Sequence, residues 1–202
     1  MGGRTARVGV LALQGDFEAH RQALAAGGAE SREIRVRSDL DDPVSGLVLP
    51  GGESTTMLKL MEGTGLDARL AELVGGGVPV LATCAGVILI AREVHHPEQR
   101  SLGLLDVRVE RNAYGRQIDS AVVDLEVADP EGLGAAALEG VFIRAPRVTG
   151  VGTGVRVLAR RGGDPVLLRQ GKVLAATFHP ELTADSPVIK LFLRAVRNGS
   201  TP

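Results

Sequence analysis

The stretch "LATCAG", residues 81–86, holds the only cysteine of the chain. The apolar run "VPVLAT" leads into it and "AGVILIAREV" leaves it. The first reads as a buried strand behind a Gly75–Gly77 stop, and the second as a helix from Ala85 to about Val94. The same alternation extends upstream. Arg7 to Leu13 reads as a buried strand, Asp16 to Ala26 as a helix and "REIRV" as a weak second strand. Gly46 to Pro50 is a short buried strand, and Ser54 to Met61 and Leu66 to Leu73 are helical. Strands alternating with helices predict an α/β fold with a mostly parallel sheet covered by helices.

After residue 100 the pattern changes. "LGLLDVRVE", "SAVVDLEVA", "GVFIRA", "VRVLAR", "PVLLRQ" and "KVLAATF" are β-rich, and a last helix runs from Pro187 to about Val196. There is no internal repeat, low-complexity segment or linker. Residues 1–202 therefore read as one domain with an α/β first half and a β-rich second half.

The 202 residues suffice for one α/β domain with a sizeable core. A formal net charge of -1 provides no electrostatic grip on nucleic acid or an anionic membrane. Aromatics are scarce and Trp is absent, which argues against base stacking. Positive charge comes mostly from Arg, with Lys only at 59, 172 and 190, a compositional habit rather than a site. One cysteine forms neither an internal disulfide nor a thiolate metal site, so a reducing, cytoplasmic setting is expected. The opening "MGGRTARVGVLALQGDF" has too short an apolar run for a signal peptide and reads as a first strand. No apolar stretch approaches the roughly 20 residues of a membrane span. The "NGS" at 198–200 matches a glycosylation sequon but carries no weight in such a compartment.

A lone cysteine is commonly a small buried hydrophobe. The position of Cys84 argues for more. A side chain on a sharp strand-to-helix turn is held clear of the sheet, as in nucleophile elbows. The helix N-terminus favours a thiolate, and the N–H of Ala85 can face a developing oxyanion. A nucleophile needs a base, and four histidines are available. His20, in the first helix, and His95 and His96, after the elbow helix, read as solvated or capping residues. His179 directly follows the apolar strand "KVLAATF", where sites collect in α/β sheets. Pro180 biases it toward an extended backbone, in which residues i and i+2 share a side, so Glu181 can reach its ring. Cys84, His179 and Glu181 then form nucleophile, base and orienter. The plainer reading of "HPE" is a polar loop after a strand. In "LPGGEST", residues 49–55, a buried strand ends in glycines whose N–H groups can complete an oxyanion hole. Its plainer reading is a βα turn with a helix cap.

Together these features resemble the class I, triad-type glutamine amidotransferases. More closely, the chain resembles the glutaminase subunits of bacterial and plant-type pyridoxal 5′-phosphate synthase. The motifs are "VGVLALQGDFEAH" (8–20), "LPGGEST", "TCAGVILIA" (83–91), "RNAYGRQIDS" (111–120), "FIRAP" (142–146) and "FHPELT" (178–183), spread over nearly the whole chain. "ALQGDF" and "NAYGRQ" are specific to this subunit among amidotransferases. The resemblance implies a three-layer α/β/α sandwich that hydrolyses L-glutamine to glutamate and ammonia through a glutamyl thioester on Cys84. His179 serves as acid and base, and Glu181 orients it. Gly51 or Gly52 and Ala85 supply oxyanion N–H groups. Gly52, Glu53, Ser54, Arg111, Ile143 and Arg144 recognise glutamine, an Arg being suited to its carboxylate.

The implied partner is a separate (β/α)8-barrel synthase subunit that receives the ammonia, in a large ring-shaped hetero-oligomer. Docking is expected to complete the oxyanion hole, with "LQGD", Gln14 to Asp16, at the interface. No cofactor is expected in this chain. "GVGTGV" at 150–155 fails the dinucleotide fingerprint because residue 155 is Val. One departure is Ala82, two residues before Cys84, where the family elbow usually has Gly; its extra methyl group removes no reacting atom. Three other readings compete: the glutaminase of another synthase such as imidazole glycerol phosphate synthase, a catalytically silent interaction subunit, and a cysteine peptidase or redox-sensing thiol protein. The "LQGDF" and "NAYGRQ" stretches weigh against the first, and an intact Cys84, His179 and Glu181 set against the second.

Overall fold

The structure is a computed structural model that describes residues 7–111 and 121–199. The "NAYGRQIDS" stretch, the first six residues and the end of the "NGS" sequon lie outside the described residues. The elements are, in chain order, β1 (Arg7–Leu11), α1 (Phe17–Ala26), β2 (Glu30–Ile34), β3 (Gly46–Leu49), α2 (Ser54–Met61), α3 (Leu66–Gly75), β4 (Val80–Thr83), α4 (Ala85–Ile90), β5 (Ala91–His95), β6 (Leu105–Glu110), β7 (Ala121–Asp124), β8 (Glu126–Val127), α5 (Pro130–Leu133), β9 (Glu139–Phe142), β10 (Arg147–Val151), β11 (Arg156–Arg161), β12 (Asp164–Gln170), β13 (Val173–Ala176) and α6 (Pro187–Asn198).

The central sheet has the order β2-β1-β3-β4-β13-β12-β11-β8. The first five strands are parallel and the last three antiparallel. Both faces of the parallel strands are covered, and their side chains divide with period two. Leu81, Leu174 and Ala176 pack in one core with Leu24 of α1, Leu133 of α5 and Val188, Phe192 and Val196 of α6. Val80, Ala82, Val173 and Ala175 pack in the other with Met61 of α2, Leu66 and Leu70 of α3, and Val87 and Leu89 of α4. The sheet is thus the middle of three layers. α6 illustrates the pattern that holds it there: Val188, Ile189, Phe192 and Val196 are buried while Lys190, Arg194 and Arg197 are exposed. Each such apolar side chain removed from water contributes about 1.5–3 kcal/mol. Among the described residues, no helix is long and apolar enough to cross a membrane.

Three elements differ from the sequence reading. The helix after Cys84 stops at Ile90 rather than near Val94, and the chain enters β5 with Ala91 at φ -56°, ψ 152°. All six residues of α4 are buried. Further helix would carry Arg92 and Glu93 into that apolar surrounding. As a strand parallel to β6, β5 lets Arg92 pair with Asp106 at 2.8 Å and Glu93 with Arg108 at 2.7 Å. The second strand is Glu30–Ile34 rather than 32–36, because Asp39 accepts hydrogen bonds from the Arg35 and Val36 amides and turns the chain. The first strand ends at Leu11, and Asp16 is the cap of α1, accepting from the Ala19 amide at 3.4 Å.

The elbow between β4 and α4 depends on close approach at Gly86. A Cβ there would lie 2.0 Å from the carbonyl oxygen of Leu49, a backbone atom with little freedom to yield. Gly86→Ala should therefore cost about 1–3 kcal/mol, on the order of 5 °C in melting temperature. Gly154→Ala, which would meet nothing within 4 Å, should leave it unchanged. Scanning calorimetry of the two variants checks this, and equal melting temperatures would contradict the packing described.

Candidate active site

Cys84 stands at the C-terminal end of β4, between β3 and β13. Its backbone has φ 48° and ψ -108°. A positive φ is uncommon for a residue with a Cβ, and such conformations cost about 1–3 kcal/mol. The surroundings hold it there: the Cys84 N–H donates to Ala176 at 2.9 Å and its carbonyl accepts from Val87 at 3.0 Å. The side chain is mostly buried, and Sγ lies 3.8 Å from the carbonyl oxygen of Ile143. Ala82, the departure from the family elbow, is fully buried in regular register between Leu49 and Ala175, so its methyl group is absorbed by the core.

His179 follows β13 and donates its N–H to Val141 at 2.8 Å. Its Nδ1 is 2.7 Å from Oε1 of Glu181. The contact forms differently from the extended geometry expected. Pro180–Leu182 is a 3-10 turn, and that turn curls Glu181 back onto the ring. With Nδ1 against a carboxylate, the ring carries its proton on Nδ1 and presents Nε2 to the other side. Burial disfavours the charged imidazolium, but hydrogen bonds and charge from Cys84 and Glu181 outweigh it and hold His179 up at about 10. Burial likewise opposes the Glu181 carboxylate, but His179 and His20 outweigh it and bring Glu181 down to about 2. Both shifts favour an ionised, mutually supporting pair. Gly51 marks how closely the parts converge: a Cβ on it would lie 2.6 Å from Cε1 of His179 and 3.3 Å from Cβ of Cys84.

These residues open on a cavity of about 260 Å³, the scale of a small-molecule site. Cys84, Ala85, His179, Gly51, Gly52, Glu53, Ser54, Arg111, Ile143 and Arg144 all line it. Of the residues named from sequence, Glu181 alone lies outside the lining, behind His179. Ala85 is the first residue of α4, where N–H groups have no intrahelical partner. Arg111 is tied by its N–H to the His95 carbonyl at 3.1 Å. Arg144 is exposed with φ 47°, which sets Ile143 and Arg144 on a sharp bend at the rim. The Ser54 hydroxyl donates to the side-chain carbonyl oxygen of Gln99 at 3.2 Å.

The cavity has lining residues and supports that sequence reasoning did not place there. Asp16, Ile88 and Pro146 also line the cavity. The Gln14 side chain accepts a hydrogen bond from the Glu53 N–H, and the Asp16 N–H donates to the Gly51 carbonyl at 3.3 Å. The 14–16 loop therefore packs on the 51–53 turn, with Gly15 at φ 98° in a space where a Cβ would meet that same carbonyl. Because a trans peptide opposes its C=O and N–H, the Gly52 N–H points away from the 15–16 backbone. The reading of His20 is corrected. The residue is fully buried, with Nε2 at 2.9 Å from the Thr83 hydroxyl and 3.3 Å from Oε1 of Glu181. A signal was available: His20 precedes Leu24 by four residues and so shares the apolar face of α1. His95 is half-buried and His96 exposed, as expected of residues outside the site.

Comparison with known proteins places the chain in a family. The SNO glutamine amidotransferase family model matches residues 10–198. A curated relative from Koribacter versatilis, pyridoxal 5′-phosphate synthase subunit PdxT, is 53% identical over 195 residues, covering 96% of this chain and 98% of its own. The protein of the same name from Thermus thermophilus is 53% identical over 188 residues, covering 92% and 95%. A solved structure described as a glutamine amidotransferase superposes with a TM-score of 0.85 at 49% identity, covering 94% of this chain and 98% of that one. With its elbow, its histidine–glutamate pair and a family match over nearly its full length, the chain belongs to the SNO glutamine amidotransferase family.

Proposed function

We propose that Cys84, His179 and Glu181 hydrolyse the side-chain amide of L-glutamine in this chain, which works as the glutaminase subunit of a pyridoxal 5′-phosphate synthase. The observation that carries the chemistry is the convergence of Cys84 and His179 around Gly51, with Glu181 on the far side of the imidazole. The relatives of that name, matched along nearly their whole length, carry the choice of reaction partner.

Arg111, Arg144 and the Ile143 backbone hold the ends of glutamine so that only its amide carbon reaches Sγ. The thiolate attacks that carbon, and the carbonyl oxygen becomes an oxyanion between the Ala85 N–H and an N–H of the Gly51–Gly52 turn. One donor of this kind is worth roughly 100- to 1000-fold in rate. As the tetrahedral centre collapses, His179 protonates the departing nitrogen, which leaves as ammonia, and a glutamyl thioester remains on Cys84. His179 then takes a proton from water, the resulting hydroxide attacks the thioester, and glutamate departs as the thiolate reforms. Glu181 keeps the ring in the tautomer that serves both steps.

The ammonia passes to a (β/α)8-barrel synthase subunit, several glutaminases decorating a ring of such barrels in the cytoplasm. Residues 1–202 act as one glutaminase domain, and the 14–16 loop, packed on the oxyanion turn, is placed to sense docking of the synthase.

Ammonia release from L-glutamine should rise when the synthase subunit is added and should vanish in Cys84→Ala, while Cys84→Ala still binds the synthase. Ammonia release that survives Cys84→Ala would remove Cys84 as nucleophile. A wild type that stays silent with its synthase bound would favour the interaction-subunit reading. The Glu181 carboxylate adds a pH prediction. Its folded value of about 2 lies below its ordinary 4.5, so its contribution to stability is present above pH 4.5 and is lost as pH falls toward 2. The difference in melting temperature between wild type and Glu181→Gln should be largest between about pH 5 and 6.5 and narrow below pH 4.5. A difference that does not change with pH would mean that the carboxylate is not held ionised.

A further inference from the structure

His20 is a fully buried polar side chain that the reaction steps do not use. It comes from α1, does not line the substrate cavity, and its Nε2 lies near two oxygens of unlike origin. One is the hydroxyl of Thr83, 2.9 Å away, on the residue immediately before the nucleophile. The other is Oε1 of Glu181, 3.3 Å away, the same oxygen that contacts His179. A lone pair on Nε2 would face a carboxylate, so the tautomer that fits carries its proton there, hydrogen-bonded to Thr83 and at ion-pair distance from Glu181.

The energetic need for such a donor is plain. The Glu181 side chain is fully buried, and among the described residues its Oε2 has no hydrogen-bond partner. A buried carboxylate stays ionised and in place only when donors compensate its lost hydration. The imidazole of His179 supplies one, but His179 must also move its other proton during the reaction. A second donor that takes no part in the chemistry keeps the carboxylate oriented while the charge on His179 changes. Thr83 fixes that donor in turn, and Thr83 is held in β4, in parallel register with Ala176 of β13.

We infer that His20 is a positioning residue for the glutaminase reaction: anchored on Thr83, its Nε2–H holds Glu181 in the orientation that aligns His179 with Cys84. The inference rests on the Cys84–His179–Glu181 assignment above and extends it to a fourth side chain that touches neither substrate nor reacting atoms.

The test uses the full chain in complex with its synthase subunit. Ammonia release by wild type and its absence in Cys84→Ala are recorded first, so that failure of the triad assignment shows itself before any His20 variant is read. His20→Ala should then lower kcat by roughly 10- to 100-fold, the cost of removing a group that holds a functional side chain in place, with KM for glutamine changed little. His20→Gln, whose amide nitrogen can occupy the place of Nε2 and donate, should recover most of kcat. Thr83→Val should lower kcat in the same direction with KM again preserved. Melting temperatures of all variants separate positioning from folding. A His20→Ala protein with wild-type kcat overturns the inference. So does a set of variants in which kcat follows melting temperature alone and His20→Gln restores neither.

Discussion

The structure turns on a strained residue at the end of a buried strand. Cys84 adopts a left-handed backbone that an L-residue resists, and two hydrogen bonds together with the close approach of Gly86 to Leu49 hold it there. That strain has a geometric result. It lifts a thiol out of the sheet at the N-terminus of α4, where unpaired N–H groups face the same space. A chain that relaxed the elbow would recover a little stability and move the thiol away from the N-terminus of α4.

The parts of the site come from separate segments of the chain, and four of them lie at the C-terminal ends of parallel strands. The 14–16 loop follows β1, the glycine turn follows β3, Cys84 follows β4, and His179 follows β13. Strand order β1-β3-β4-β13 makes these four ends neighbours. The general rule that α/β sheets gather ligands beyond their strand ends is realised here by parallel register alone. The antiparallel strands β12, β11 and β8 extend the sheet beyond β13, and the β9–β10 connection brings Ile143 and Arg144 to the rim.

Electrostatically, the site holds an ionised histidine–glutamate pair inside a core. His179 and Glu181 each favour the charge on the other, and burial works against both. Burying such a pair is costly unless donors compensate the lost hydration, and among the described residues Oε2 of Glu181 and Nδ1 of His20 have no hydrogen-bond partner. A second histidine, His20, stands beside the oxygen of Glu181 that His179 contacts, on a face of α1 that is otherwise apolar toward the sheet.

The sequence alone was enough for the α/β alternation, for the elbow at Cys84 and for the pairing of His179 with Glu181. These are local properties: hydrophobic periodicity, a small-residue turn at a strand end, and two side chains separated by one proline. Tertiary structure decided the rest. α4 ends early because Arg92 and Glu93 find partners across β6, which lies ten or more residues downstream. Glu181 reaches His179 through a 3-10 turn rather than an extended segment, and the local spacing was compatible with both. His20 reads as a surface histidine until α1 is docked on the sheet, when it meets a strand residue 63 positions away. The packing of Gln14 against Glu53 likewise joins two loops 39 positions apart. Periodicity reports which face of an element is buried; only the packed sheet determines which distant residue that face meets.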